Sequence, residues 1–214
     1  LCFTHDSGPP DCIRPEVGIA GRKWGTKWGE RGAGFFRESQ CGTTVAGMGV
    51  IARLLGNMVD DQTWRLLTNV HKDYASRFGT MRPKSGVYTN TQMEENGWTS
   101  CGLASVELFL SNSSENATWA ETARRWMFCT TTTQQDTKNH GQFDEKHTVR
   151  QLTGEIFTTL PDYMAENHGM VHPIYTWESM KFLGMLGVIY KLGGDELPPH
   201  ALHNRNKIYD QLKR

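Results

Sequence analysis

The chain has neither a long hydrophobic run nor an excess of charge of either sign. Its 214 residues include 23 Lys and Arg against 23 Asp and Glu, and its most apolar stretch, residues 174–192, is interrupted by Glu178 and Lys181. A helix that spans a bilayer needs about 20 predominantly apolar residues. Attraction to nucleic acid or to anionic membranes through overall charge needs a basic excess. We therefore predict a soluble, globular protein that neither spans a membrane nor binds nucleic acid.

Closely spaced cysteine pairs are also missing. Cys2, Cys12, Cys41, Cys101 and Cys129 contain no Cys-x-x-Cys pair, which argues against a zinc ribbon or a thioredoxin-type site. The first two could close a small loop, whereas the other three fall in helical patterns, where a buried and unreactive thiol is the simpler interpretation. The glycines lack the spacing of a phosphate-binding loop. We expect no cofactor and no metal.

The N-terminal sequence contains no charged segment followed by an apolar one, and it begins at Leu1. We expect a processed or partial chain, whose signal peptide has been removed or lies upstream. N-glycosylation sequons begin at Asn112 and Asn116, between two helical patterns. Sequons in an exposed loop are typical of secreted glycoproteins, and we predict that this protein is secreted.

The chain divides into an N-terminal arm and a helical region. Residues 1–35 are rich in Gly, Pro and charge without a regular period, which predicts an extended arm packed by Trp24 and Trp28. Apolar spacing, helix caps and helix stops predict a helical region over residues 36–214. Its helices are predicted at about residues 44–56, 60–79, 93–110, 116–130, 148–160, 173–192 and 198–209.

The predicted helices alternate in character. The first, third and sixth are apolar or rich in small residues around most of their circumference, as a helix covered on several sides must be. The second, fourth and seventh carry one apolar stripe and a charged opposite face. Short links make antiparallel hairpins of an inner and an outer helix, so we predict an all-α fold that forms part of an (α/α) toroid. A closed ring of six hairpins needs roughly 300 residues, so we expect a missing segment or a second chain to complete it.

Polar and aromatic residues collect at the start of each predicted inner helix. These entrances are residues 35–40 (FFRESQ), 94–98 (EENGW) and 166–175 (ENHGMVHPIY). If the inner helices are parallel, the three entrances share one rim. Helix N-termini offer unpaired N–H groups and a partial positive potential, which favour an anionic ligand. We therefore predict a substrate site at this rim.

The third entrance carries the strongest chemical signal. Asn167, His168, His172 and Tyr175 lie within nine residues. A neutral imidazole can remove a proton, a phenol can give one to a leaving oxygen, and an amide can hydrogen-bond a carboxylate. The two histidines are four residues apart, but Gly169 makes a regular helix between them doubtful and no third ligand is obvious, so we do not predict a metal site.

An Asn-His pair at an inner-helix entrance with a tyrosine nearby resembles the α/α-toroid polysaccharide lyases of the alginate, chondroitin and heparinase II/III-like groups. The resemblance covers the hairpin pattern of residues 36–214, and the helix start at residues 94–98 also looks like one in such toroids. No β-sandwich segment and only about half a ring are present. The resemblance implies β-elimination at a uronic acid residue of an acidic polysaccharide.

The resemblance also implies roles for individual residues. Asn167 would neutralise the substrate carboxylate, and His168 or His172 would be the base. Tyr175 or Tyr163 would be the acid. Further residues are candidates for substrate binding. Arg37 and Gln40 would assist Asn167, whereas Trp98 and Trp177 would stack on a sugar ring. Glu95 and Asn96 are the candidates at the second entrance.

Other functions remain open at this stage. A toroidal glycoside hydrolase would use Glu94 or Glu95 as a carboxylate acid or base, opposite Asp162 or Glu166. A dehydratase-isomerase would act on a small hydroxylated substrate. The third alternative is a non-catalytic carbohydrate-binding or structural array of helices, in which Asn167, His168 and Tyr175 would not converge.

Overall fold

A computed structural model describes residues 41–214. The described chain is mostly helical with little strand, which confirms the predicted all-α class. The predicted arm over residues 1–35 and the possible Cys2–Cys12 loop lie outside the described residues. The same is true of Arg37 and Gln40.

Within residues 41–214 the chain forms seven α-helices and one pair of short strands. The helices are α1 (Cys41–Leu55), α2 (Asp61–Phe78), α3 (Met93–Phe109), α4 (Asn116–Cys129), α5 (Val149–Thr153), α6 (Pro173–Gly193) and α7 (Arg205–Leu212). Short 3₁₀ helices cover Gly56–Met58, Asp136–Lys138 and Pro199–Leu202. The antiparallel strands β1 (Glu166–Asn167) and β2 (Met170–Val171) lie directly before α6.

Local capping explains where the long helices begin and end. The Asp60 side chain accepts a hydrogen bond from the Thr63 N–H at 2.8 Å and so caps α2. Pro173 occupies the first turn of α6, and Gly194 ends that helix with a left-handed φ of 83°. The predicted bounds of α2, α3, α4 and α6 are confirmed to within about two residues.

Two of the predicted helices are shorter than expected. α5 ends at Thr153 rather than near residue 160, because Gly154 adopts a φ of 61° and the following chain crosses to the segment after α4. There the Thr158 and Thr159 N–H groups both donate to the Thr132 carbonyl. The last helix begins at Arg205 rather than at residue 198, after a 3₁₀ turn and a left-handed Asn204.

α1, α3 and α6 run parallel to one another, and each of the three contacts the other two. α3 is central and contacts α1, α2, α4 and α6. The contacts that establish the parallel direction are Gly42 with Trp98, Gly49 with Ser105, Gly97 with Phe182, and Gly193 with Leu108. The N-terminal ends of α3 and α6 therefore lie side by side. The predicted sharing of one rim by these two entrances requires this direction.

The predicted outer helix α2 runs antiparallel to α3. On α2, Tyr74 packs against Gly102 and His71 bonds Ser105, so the contacts run backwards along α3. The buried faces of α1, α2, α3, α4 and α6 form the main core, whose largest members include Phe182, Trp126 and Leu103. Burial of these apolar side chains is the dominant stabilising contribution.

Only α3 is covered on all sides. α1 exposes Ile51 and Leu54, and α6 exposes Trp177 and Val188. Of the three predicted inner helices, α3 is therefore the one that the described residues cover on every side. None of the helices in residues 41–214 has the length and apolar composition needed to cross a bilayer.

The three cysteines of the described chain are buried thiols, as predicted. Cys41, Cys101 and Cys129 are inaccessible to solvent. Burial raises the pKa of the Cys101 and Cys129 thiols to about 12. Because the thiolate is the reactive form, these two residues are chemically inert at neutral pH.

Candidate functional site

The candidate site lies at the rim formed by the N-terminal ends of α3 and α6. The β1–β2 hairpin directly precedes α6 and contacts the first turn of α3. There the Asn167 amide donates to Glu94 Oε1 at 3.2 Å. Residues 73 positions apart in the sequence thus meet in one cluster. The contact brings the second and third predicted entrances together.

Backbone hydrogen bonds hold the hairpin in place against the loop before α3. The Thr91 N–H donates to the Glu166 carbonyl at 2.8 Å, and the Thr89 N–H donates to Glu166 Oε1 at 2.7 Å. The Gly169 N–H donates in turn to the Thr89 carbonyl at 2.9 Å. The hairpin is therefore fixed to this loop both at its first strand and at its turn.

His168 occupies this turn in a left-handed conformation. Its φ is 53°, a region that non-glycine residues seldom adopt. Its N–H donates to the side-chain oxygens of Asn167 at 2.9 Å and Asn90 at 3.0 Å. These two bonds compensate the backbone cost and direct an exposed imidazole over the start of α6.

His168 and Tyr175 form a hydrogen-bonded pair. His168 Nε2 lies 3.1 Å from the Tyr175 hydroxyl. The His172 ring stands perpendicular to the Tyr175 ring, with 4.8 Å between centroids, and its Nδ1 is buried with no hydrogen-bond partner among the described residues. The tyrosine thus lies between the two candidate bases, and His168 is the one that bonds its oxygen.

Asn167 is buried beneath this pair. Its side chain is 3% exposed, with the amide nitrogen on Glu94 and the oxygen on the His168 N–H. An amide nitrogen carries two hydrogens, and the contact to Glu94 uses one of them. Asn167 therefore positions the His168 turn through both ends of its amide group.

Glu94 is the residue of this site that sequence analysis placed only in the hydrolase alternative. Burial raises the pKa of its carboxyl from 4.5 to about 7, and the neighbouring Glu95 and Glu178 carboxylates contribute. Its Oε2 is buried and has no hydrogen-bond partner among residues 41–214. Near neutral pH, Glu94 is therefore a carboxyl group poised between its acid and its anion.

Replacing Glu94 by Gln should raise stability above neutral pH. The folded protein binds more protons than the unfolded chain between pH 4.5 and about 7, so the wild type loses stability as pH rises through that window. Gln retains the acceptor for Asn167 and cannot ionise. Thermal unfolding should give the variant the higher melting temperature at about pH 8 and an equal one near about pH 4.

Glu121→Gln is the matched control for this measurement, because the Glu121 carboxylate is exposed on α4 and is not among the groups that shift the pKa of Glu94. We expect this change to leave the pH dependence of the wild type intact. Identical pH profiles for the wild type and Glu94→Gln would show that the Glu94 carboxyl titrates normally.

The other residues predicted at the second entrance have structural partners. Asn96 is fully buried, donates to the backbone carbonyls of Lys84 and Cys129, and accepts from the Lys84 N–H. The structure therefore places Asn96 in the core, where it anchors the loop before α3, rather than facing a substrate. Glu95 bonds the Lys84 side chain of the same loop.

The predicted aromatic and phenolic residues differ in their availability. Trp98 packs against the core, edge-on to Phe182 with 6.3 Å between centroids. The Tyr163 hydroxyl accepts from Lys207 Nζ at 2.8 Å. Trp177 is 54% exposed, so it is the one of these three side chains whose ring is open to a ligand.

Further exposed apolar side chains surround the His168–Tyr175 pair. We call this surface the rim platform. Its members are Tyr88, Met170, Val171, Ile174 and Trp177, each more than half exposed. Several large apolar side chains that are exposed in one region are characteristic of a binding face.

Residues 41–214 contain no group of three His, Cys, Asp or Glu side chains arranged to hold a metal ion. The described part of the rim offers imidazole, phenol, amide and carboxyl groups as potential catalytic groups. No family model, curated protein or solved structure matches this chain.

Proposed function

We propose that this protein is a polysaccharide lyase that cleaves a uronic-acid polymer by β-elimination. The observation that carries the proposal is the 3.1 Å contact between His168 Nε2 and the Tyr175 hydroxyl at a helix entrance. A base and an acid that share one hydrogen bond are the two groups such a reaction requires.

In the proposed reaction, His168 removes the proton at C5 of the uronic residue. The electron pair forms the C4–C5 double bond, and the C4–O bond to the leaving sugar breaks. Tyr175 gives its proton to the departing oxygen, and the tyrosinate then takes the proton held by His168. The contact between the two side chains supports this last transfer, which restores both groups without a cofactor.

The substrate carboxylate is the group that makes the C5 proton acidic. The remaining Asn167 N–H and the partial positive potential at the starts of α3 and α6 can stabilise it as negative charge develops. The Lys84 side chain is hydrogen-bonded to Glu95 and the Lys207 side chain to Tyr163, so we do not assign either cation to the substrate carboxylate. Arg37, outside the described residues, remains a candidate for the same role.

We also infer a toroidal arrangement from the directions of the helices. Parallel inner helices and an antiparallel outer helix are what successive α/α hairpins produce. The exposed apolar faces of α1 and α6 are the surfaces against which a missing segment or a second chain would pack.

A glycoside hydrolase is less well supported. Glu94 has the raised pKa expected of a general acid, but such an enzyme needs a second carboxylate opposite it. Asp162 accepts from the Met164 N–H at 3.1 Å, and Glu166 accepts from the Thr89 N–H at 2.7 Å. Both candidate partners are therefore committed to backbone groups.

The test is to incubate the protein with alginate, pectate, chondroitin and heparan polymers and to follow ultraviolet absorbance. A double bond conjugated with the uronate carboxylate absorbs there, so we expect a steady rise with at least one polymer. No rise with any polymer would contradict the lyase and would favour the hydrolase, dehydratase-isomerase or carbohydrate-binding alternatives.

The proposal of secretion predicts glycosylation at a single sequon. Asn112 is exposed, whereas the Asn116 amide donates to two backbone carbonyls at the end of α3, at 2.9 and 3.2 Å. Because a glycan on that nitrogen would displace these bonds, we expect a glycan at Asn112 only. In a eukaryotic secretory host, Ser114→Ala should remove the added mass and Thr118→Ala should not. The opposite pattern would contradict the assignment.

A further inference from the structure

A polar cavity lies at the opposite end of the parallel helices from the rim. It has a volume of about 190 Å³ and opens between the C-terminal ends of α1, α3 and α6. Arg53 lines it from α1, Glu107 and Ser111 line it from the end of α3, and Tyr190 and Asp195 line it from the end of α6. The cavity is therefore a place for a ligand that is separate from the candidate catalytic site.

The two acidic groups that line this cavity differ in their partners. Glu107 accepts hydrogen bonds from the Tyr190 hydroxyl at 2.6 Å and from Arg124 at 3.2 Å. The Asp195 carboxylate forms no ion pair or hydrogen bond within residues 41–214. Asp195 lies just beyond the end of α6, where the helix dipole disfavours a negative charge. Helix stability therefore does not account for the charge of Asp195, whereas a bound cationic group would.

The basic group of the cavity is held in position by the end of α3. Arg53 Nη2 donates to the Leu108 carbonyl at 2.9 Å, and the guanidinium lies over the Phe109 ring, 5.3 Å from its centroid. Arg53 and Asp195 line the same cavity, but within the described chain they do not form an ion pair with each other. Both residues are exposed, so a ligand from solvent can reach the two opposite charges.

We propose that this cavity binds a small zwitterion of the aliphatic amino acid class, with its ammonium group on Asp195 and its carboxylate on Arg53. The cavity is smaller than the pockets of about 300–1,000 Å³ that hold drug-sized ligands, so its ligand has few atoms. A guanidinium binds a carboxylate through strong, charge-assisted hydrogen bonds. Leu108, Ile189 and Leu192 also line the cavity and would contact a short aliphatic side chain. This site goes beyond the proposed lyase activity and does not depend on it.

NMR spectroscopy of the full chain, labelled with ¹⁵N, tests the proposal with L-valine as the probe. Titration should shift the amide signals of Ser111 and Gly193 at the cavity and leave those of His168 and Gly169 at the rim unchanged. Two analogues separate the charges, because N-acetylvaline lacks the ammonium group and valinamide lacks the carboxylate. We expect each analogue to bind about tenfold or more weakly than L-valine, the effect of losing one charged hydrogen bond.

Variants of the two charged residues assign each ligand group to its partner. Asp195→Asn should weaken the binding of L-valine by about tenfold or more and leave that of N-acetylvaline unchanged. Arg53→Gln should weaken the binding of L-valine and leave that of valinamide unchanged. Glu196→Gln is the matched control, since this exposed carboxylate is adjacent to Asp195 but does not line the cavity.

Two results would overturn the proposal. The first is a titration in which L-valine shifts no amide signal at the cavity, and the second is equal affinity of the wild type and Asp195→Asn for L-valine. Both are binding measurements made without a polysaccharide. Failure of this proposal is therefore distinguishable from failure of the lyase, which the absorbance assay decides.

Discussion

Replacing His168 by Asn should lower kcat/KM for elimination by about 10²–10⁴-fold, the contribution typical of a positioned general base. The melting temperature should change little, because the imidazole is exposed and its hydrogen bond is to the Tyr175 hydroxyl at 3.1 Å. Asn is chosen because it tolerates the left-handed φ of 53° at this position. Initial rates and thermal unfolding of the same preparation measure both effects.

Three further variants make this prediction specific. Tyr175→Phe should cause a loss of similar size, and the double variant should lose little more, because the pair acts as one unit. His140→Asn is the matched control, since that exposed histidine lies in the loop before α5 and contacts Arg150 of that helix. Full activity in His168→Asn with a large loss of stability would indicate a purely structural turn.

Replacing Gly42 by Ala should destabilise the fold by at least about 1–3 kcal/mol, the usual cost of overpacking. A Cβ at this position would overlap the Trp98 carbonyl and would lie 2.6 Å from the Tyr74 hydroxyl. Because the first obstacle is backbone, α1 and α3 would have to separate. Urea unfolding of both proteins gives the difference directly.

Gly47→Ala, on the same helix, is the control for this measurement. A Cβ there meets no atom within 4 Å, so it should stabilise α1 by about 0.5–1 kcal/mol through helix propensity alone. If Gly42→Ala were as stable as Gly47→Ala, the close parallel packing of α1 on α3 would be wrong.

The sequence predicts the long helices well because their signals are local. The periodic apolar stripe of α2, its Asp60 cap and the Gly194 stop of α6 all act within a few residues. The early end of α5 depends instead on hydrogen bonds between Thr132 and residues 24 or more positions away. The β1–β2 hairpin is too short to show a strand period and forms where the chain meets the loop before α3.

In the candidate site too, local contacts are predictable from the sequence and tertiary contacts are not. Asn167, His168 and Tyr175 are close in sequence, so their proximity was predictable once Pro173 fixed the start of α6. The link from Asn167 to Glu94 is tertiary, and no local pattern distinguishes Glu94, which faces the hairpin, from Glu95, which faces Lys84. Nor does sequence distinguish a buried structural amide such as Asn96 from one exposed to a substrate.

The most direct test of the account is the mass of the products formed from a uronic-acid polymer in isotopically labelled water. Elimination breaks the C4–O bond without adding water, so we expect unsaturated fragments that carry no label and are one water molecule lighter than hydrolysis products. Their formation should depend on His168 and Tyr175. Saturated fragments that contain the label would contradict the lyase and would show a hydrolase at this rim.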